Sequence, residues 1–141
     1  MNLLEKSAKL CSKKERYPYE VKRILLKWGA SEDESEDVIR KLSSSGFLNE
    51  ARYASLFAEN HLRNFRWGWL KIRACLLEKG IPQSIIDTVQ KESETEEYFT
   101  TLKKLIREEV KKNRNKESIY RKFISRGFEP ELVEEILNSL I

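Results

Sequence analysis

Between Glu59 and Glu78 the chain carries no acidic residue, and in that window stand Arg63, Arg66, Lys71 and Arg73, with Trp67 and Trp69 around Gly68. Guanidinium and ammonium groups at this density can hold phosphates or carboxylates, and an indole beside them can stack on a base or fill a partner's pocket. Bond-making chemistry has less to draw on. His61 is the only histidine, and Cys11 and Cys75 are isolated thiols without ligand spacing, whereas metal binding needs several converging donors. None of the phosphate-loop, dinucleotide, zinc-protease or serine-nucleophile patterns occurs. The carboxylates of residues 31–37, SEDESED, suit the first turn of a helix rather than an acid/base pair. A binding protein with no cofactor, no metal and no catalytic residue is expected.

The elements that must position these residues are helical. The 141 residues are 40% hydrophobic and 35% charged, with five glycines and three prolines, and no long Val/Ile/Thr alternation occurs. An all-α fold follows from that composition and from the apolar periodicity below. The net charge of +4 is a mild basic excess that by itself favours an acidic or nucleic-acid partner only weakly. No apolar run approaches the ~18 residues of a membrane span, and the N-terminus lacks a signal-peptide core. A cytoplasmic protein is expected, with Cys11 and Cys75 serving as small buried hydrophobes in a reducing compartment.

An internal repeat organises the chain. The segments VKRILLKWGA (21–30), IRACLLEKGI (72–81) and IYRKFISRGF (119–128) align on Gly29, Gly80 and Gly127. Eight positions before each glycine stand Val21, Ile72 and Ile119; four before, Leu25, Leu76 and Phe123; three before, Leu26, Leu77 and Ile124. These spacings predict one apolar helical face ending at a left-handed glycine. A new helix start follows each glycine: Ser31 with Glu34 as a capping box, Pro82, and Pro130. Upstream helices are predicted with inward stripes Ala54, Phe57, Ala58, His61, Phe65 and Phe99, Leu102, Ile106, Val110, and residues 3–11 form a shorter version. The prediction is an elongated array of three tandem three-helix repeats, nine helices in all, over residues 1–48, 49–93 and 94–141. Asn49 and Ser93 are the expected N-caps at its internal boundaries.

Within this register the link from first to second helix is basic in each copy: Lys13, Lys14 and Arg16; Arg63 and Arg66; Lys111, Lys112, Arg114 and Lys116. The second helices add Lys22, Arg23 and Lys27; Lys71, Arg73 and Lys79; Arg121, Lys122 and Arg126. Stacked repeats are expected to line these cations along one edge, suited to a polyanionic or acid-rich track and weakened by salt. Solvated helix faces that keep the protein soluble are the plainer account of the same residues. Gly68 is expected to open the second helix of the middle copy, with one of the flanking tryptophans packed inside as a hydrophobic staple and the other exposed beside the cations.

Residues 46–81, GFLNEARYASLFAENHLRNFRWGWLKIRACLLEKGI, closely resemble the central repeat of the RecX family of bacterial recombination regulators. The resemblance rests on Gly46, Phe47, Leu48, Glu50, Arg52, Tyr53, Ala54, Arg63, Trp67, Gly68, Lys71, Ile72, Arg73, Leu76, Lys79, Gly80 and Ile81. Asn49 stands where that family usually has an acid, Trp69 where proline is frequent, and RYPYEV (16–21) where Ser-x-x-Glu is common, leaving Glu20 as the match.

The resemblance implies a cytoplasmic, cofactor-free modulator of the RecA recombinase. Such a protein would bind the RecA–single-stranded DNA filament in its groove, inhibit recombinase and co-protease activity, and act as a monomer with weak direct affinity for single- or double-stranded DNA. The residues expected to carry filament or DNA contact are Arg52, Arg63, Arg66, Trp67, Lys71, Arg73, Lys111, Lys112, Arg114, Lys116, Arg121 and Lys122. Two other readings stand beside it: a stand-alone nucleic-acid-binding helical protein, and a helical-repeat adaptor for another acidic protein. Base-specific readout by the former would need a recognition helix rich in Arg, Asn or Gln at its start, and no predicted helix shows this clearly.

Overall fold

The computed structural model describes residues 1–112 and 115–141. Among these residues the chain is all-α, with nine helices and no strand: α1 (Leu3–Lys13), α2 (Pro18–Lys27), α3 (Glu32–Ser44), α4 (Glu50–Arg63), α5 (Trp69–Glu78), α6 (Gln83–Ser93), α7 (Glu96–Lys111), α8 (Lys116–Ser125) and α9 (Pro130–Leu140).

The helix ends obey the local chemistry of the sequence. Gly29, Gly80 and Gly127 follow α2, α5 and α8 with φ of +96°, +83° and +93°, a backbone that only glycine adopts without strain. Ser31 and Glu34 form a reciprocal capping box at the start of α3, and these hydrogen bonds hold the Glu34 carboxyl below its usual pKa. The Arg52 amide donates to Asn49 Oδ1 at 2.9 Å, so Asn49 caps α4. Ser93 does not cap α7. It ends α6, where its hydroxyl bonds back to the Val89 carbonyl, and Thr95 is the residue that precedes α7.

Burial corrects the predicted stripes in three places. Val21, Leu25, Ile72, Leu76, Ile119 and Phe123 are fully buried, but Leu26 and Leu77 are exposed. A residue three before the glycine lies one helical step, about 100°, from the residue four before it, and that step carries it to the rim of the face. In α7 the buried row is Tyr98, Leu102, Ile106 and Glu109, while Phe99 faces solvent and Val110 is half-buried. Phe65, beyond the end of α4, is 55% exposed.

Packing gathers the chain into two compact units, one of residues 1–56 and 76–86, the other of residues 57–75 and 87–141. In the first, α1, α2 and α3 pack on one another around Cys11, Val21, Leu25, Val38, Leu42 and Leu48, with Trp28 against the rim. Each fully buried leucine or valine in such a core contributes about 1.5–3 kcal/mol. In the second, α7, α8 and α9 pack on one another and bury Leu102, Ile106, Ile119, Phe123, Val133 and Leu137, with the Tyr98 and Phe128 rings stacked at 5.7 Å. Helices α4, α5 and α6 each supply one end to each unit.

Candidate functional site

The acid-free window forms a small aromatic and cationic assembly in the second unit. Phe57, His61 and Phe65 follow one another at intervals of four, the spacing that superposes side chains on one helical face. Their rings stack: Phe57 on His61 at 3.9 Å and 23°, His61 on Phe65 at 5.0 Å and 24°. A carbonyl only accepts, so the 2.8 Å contact between His61 Nδ1 and the Phe57 carbonyl fixes the proton on Nδ1 and the ring in the stack.

The chain then folds back on itself. Arg66 adopts φ +56°, a left-handed backbone that costs a residue with a side chain on the order of 1–2 kcal/mol. This reversal brings the Trp67 amide to the His61 carbonyl at 2.9 Å and its ring to 4.4 Å from the imidazole. Lys71 Nζ sits 4.3 Å from the Trp67 ring centre, a cation–π contact. Trp67 is half-buried, whereas Trp69 is completely buried. Trp69 is therefore the packed indole, while Trp67 lies among the cations half-buried against the neighbouring rings rather than exposed.

Backbone contacts hold this segment in place. The Gly68 amide donates to the Arg126 carbonyl at 2.8 Å and the Leu70 amide to the Gly127 carbonyl at 2.9 Å. The Trp69 amide donates to the Tyr98 hydroxyl at 3.2 Å, and that hydroxyl donates its own proton to the Glu129 carboxylate at 2.9–3.0 Å. Amides at the start of α5 are thus satisfied by groups remote in sequence rather than by a capping side chain. Burial pushes the Glu129 carboxyl pKa up, with Glu94 and Glu131 adding to the shift against the Tyr98 hydrogen bond. Burial likewise raises the Tyr98 phenol.

The predicted cations divide by what they already touch. Arg63 is exposed and reaches Glu59 at 3.4 Å, a surface pair worth under ~1 kcal/mol and readily exchanged. Arg66 is exposed and has no ion-pair partner among the described residues. Arg73 is committed: its guanidinium meets Asp87 at 2.8 Å and Gln90 at 2.9 Å with the side chain 22% exposed. In the first unit Arg52 clamps Glu15 at 2.8 Å and the Gly46 carbonyl at 3.0 Å. Lys122 pairs with the buried Glu109, which Lys112 approaches at 4.0 Å. Arg121 pairs with Glu117 at 3.2 Å, Lys116 bonds to Asn138, and Lys111 lies exposed at the end of α7. Arg114 lies outside the described residues. The residues brought together on one segment are Arg63, Arg66, Trp67 and Lys71. Among the described residues no group of three or more His, Cys, Asp or Glu could hold a metal, and no helix is long and apolar enough to cross a membrane.

Residues 49–89 match the family model for the second three-helix domain of RecX. Regulatory protein RecX of Thermotoga petrophila is 30% identical over 138 residues, covering 97% of this chain and 83% of that protein. The chain belongs to the RecX family. A RecX of Thermus thermophilus is 33% identical over 88 residues, or 62% of this chain. The match spans 61% of the length of that RecX, and 50% of the RecX from a second strain of the same species. The crystal structure of RecX from Lactobacillus salivarius superposes with a TM-score of 0.83 over 98% of this chain and 96% of that one, at 18% identity. A second regulatory protein RecX gives 0.81 over 96% and 72%, at 20% identity. At those identities the solved RecX structures establish the fold alone.

Two contributors to the site are not visible as such in the sequence. Spacing places Phe65 on an inward stripe, in continuation of Phe57 and His61, yet α4 ends at Arg63 and the ring emerges into solvent. The Tyr98–Glu129 pair supports Trp69 across 29 to 31 positions of sequence, and no local pattern marks such a contact.

Proposed function

We propose that this chain binds the RecA–single-stranded DNA filament and inhibits recombinase and co-protease activity, acting as a regulator rather than as an enzyme. The observation that carries this reading is the segment from Arg63 to Lys71. It combines a family-matching sequence with a backbone-stitched turn on which Arg66 has no ion-pair partner among the described residues and Arg63 has only the exposed Glu59. Regularly placed cations suit the phosphates and acidic patches of such a filament, and basic segments in successive repeats would each add a contact and so gain avidity.

Co-sedimentation with preassembled RecA–DNA filaments tests the reading. Strong pelleting with the filament, weak pelleting with naked DNA, and loss of RecA ATP hydrolysis are expected. Equal affinity for bare strands without any effect on RecA would assign the chain to stand-alone nucleic-acid binding. Binding to neither would leave an adaptor for another acidic protein.

A further inference from the structure

We propose that the Phe57–His61–Phe65 stack ends in a nucleobase platform: single-stranded nucleic acid lays a base on the open face of Phe65, with neighbouring phosphates met by Arg63 and Arg66. The inference deepens the filament reading by giving the single strand a site of its own.

Four features of the assembly converge on this ligand. The three rings are near-parallel, at 23° and 24°, and Phe65 terminates the series with 55% of its surface exposed. A flat ring already stacked on one side offers its other side at little entropic cost, because its orientation is set before binding. The Phe65 ring also lies 6.4 Å from Trp67, so the platform is walled on one flank. The loop that presents Phe65 stores strain: Arg66 keeps a left-handed backbone although it carries a full side chain. Strain of this kind persists where the surrounding structure overdetermines it, and it clusters at binding sites.

Charge chooses the class of ligand. No acid occurs from residue 60 to residue 77, so the cations next to the ring are not neutralised from within their own segment. Arg66 has no ion-pair partner among the described residues, and Arg63 has only an exposed one. Aromatic faces interleaved with cations are how sequence-tolerant single-strand binding is built, each base stack adding to the phosphate contacts. A duplex must first unstack a base step to use Phe65, whereas a single strand offers its base faces directly. An acidic peptide could use Arg63 and Arg66 but gains nothing from a bare phenyl ring.

The test uses the full chain without RecA, and reads fluorescence anisotropy with a labelled 20-nucleotide oligo-dT, the same strand carrying abasic sites, and a duplex of equal length. Wild type is expected to bind oligo-dT about 5- to 150-fold more tightly than the abasic strand, the range of one base stack, and more tightly than the duplex. Phe65→Leu should erase the difference between oligo-dT and the abasic strand, whereas Phe65→Trp, which keeps a flat ring, should preserve it. Far-UV circular dichroism should be unchanged in both variants, as expected for an exposed position. Equal affinity of wild type for base-bearing and abasic strands would overturn the proposal. So would no binding of oligo-dT, an unaltered preference in Phe65→Leu, or equally effective competition by poly-glutamate. Filament co-sedimentation of Phe65→Leu separates the two ideas: normal pelleting with failed stacking removes the platform and leaves the filament reading intact. Failure of wild type to pellet removes the filament reading whatever the oligonucleotides show.

Discussion

Gly68 and Gly127 meet backbone to backbone. A Cβ placed on Gly68 would lie 2.4 Å from the Gly127 carbonyl carbon and oxygen, and the flanking amides of Gly68 and Leu70 bond to the Arg126 and Gly127 carbonyls. Glycine is needed at position 68 for closeness, since its φ lies outside the left-handed range.

Gly68→Ala should therefore destabilise the protein by about 2–4 kcal/mol, combining overpacking with weakened backbone hydrogen bonds. Gly46→Ala is the control. That glycine has φ +84°, and a methyl group added there would meet nothing within 4 Å, so only the left-handed strain of about 1–2 kcal/mol applies. Urea unfolding ranks the pair, and equal losses would show that the Gly68 contact is not tight.

The two tryptophans should separate on the same measurement. Trp69 is fully buried and its amide is tied to Tyr98, so Trp69→Ala should cost about 3–5 kcal/mol. Its indole N–H is buried with no acceptor among the described residues, so Trp69→Phe should cost less than its volume loss suggests, because an unsatisfied donor disappears as well. Trp67→Ala should cost less than Trp69→Ala, because Trp67 is only half-buried. A larger loss at Trp67 would reverse the assignment of which indole is core.

Glu129 gives stability a pH dependence of its own. Its folded pKa is raised, chiefly by burial, so between the ordinary glutamate pKa and that raised value the folded state holds more protons than the unfolded one. By linkage this contribution favours folding below the unfolded pKa and is lost as pH rises through the folded pKa. Glu129→Gln, which keeps an acceptor for the Tyr98 hydroxyl, should flatten that part of the curve. Thermal melts of both proteins from mildly acidic to neutral pH provide the comparison, and identical slopes would refute a protonation difference at this carboxyl.

Charge removal should follow the pairing pattern rather than the count of cations. Under the proposed filament reading, Arg63→Glu, Arg66→Asn and Lys71→Glu together should abolish inhibition of RecA ATP hydrolysis while helical content is retained. Asn is chosen at position 66 because it tolerates a left-handed backbone. Arg73→Gln should instead reduce stability by breaking the Asp87 contact and leave inhibition largely intact. If Arg73→Gln abolishes inhibition and the triple variant does not, the contact surface lies elsewhere.

The recurrent glycines show how far the sequence can be read. Val21, Leu25 and Gly29, with their counterparts in two later segments, give away helix, core face and stop, because each depends on spacing within about one helical turn or two. The Ser31–Glu34 box and the Asn49 cap are equally local, and both are present. The same spacing puts Leu26, Phe65 and Phe99 on inward faces, yet each faces solvent. Whether a rim position is covered depends on what packs against it, and the helix to which it belongs does not carry that information.

Basic and aromatic residues follow the same division. By itself, the order of amino acids determined an all-α chain, its turn glycines, its family, and the acid-free run that holds Arg63, Arg66 and Lys71. Tertiary structure alone decided that Arg52, Arg73 and Lys122 are tied to Glu15, Asp87 and Glu109, that Trp69 is sealed, and that Phe65 is offered to solvent. The physical reason is range. Helix propensity, capping and periodicity act over a few residues, whereas ion pairing and burial are settled by partners 13 to 37 positions away.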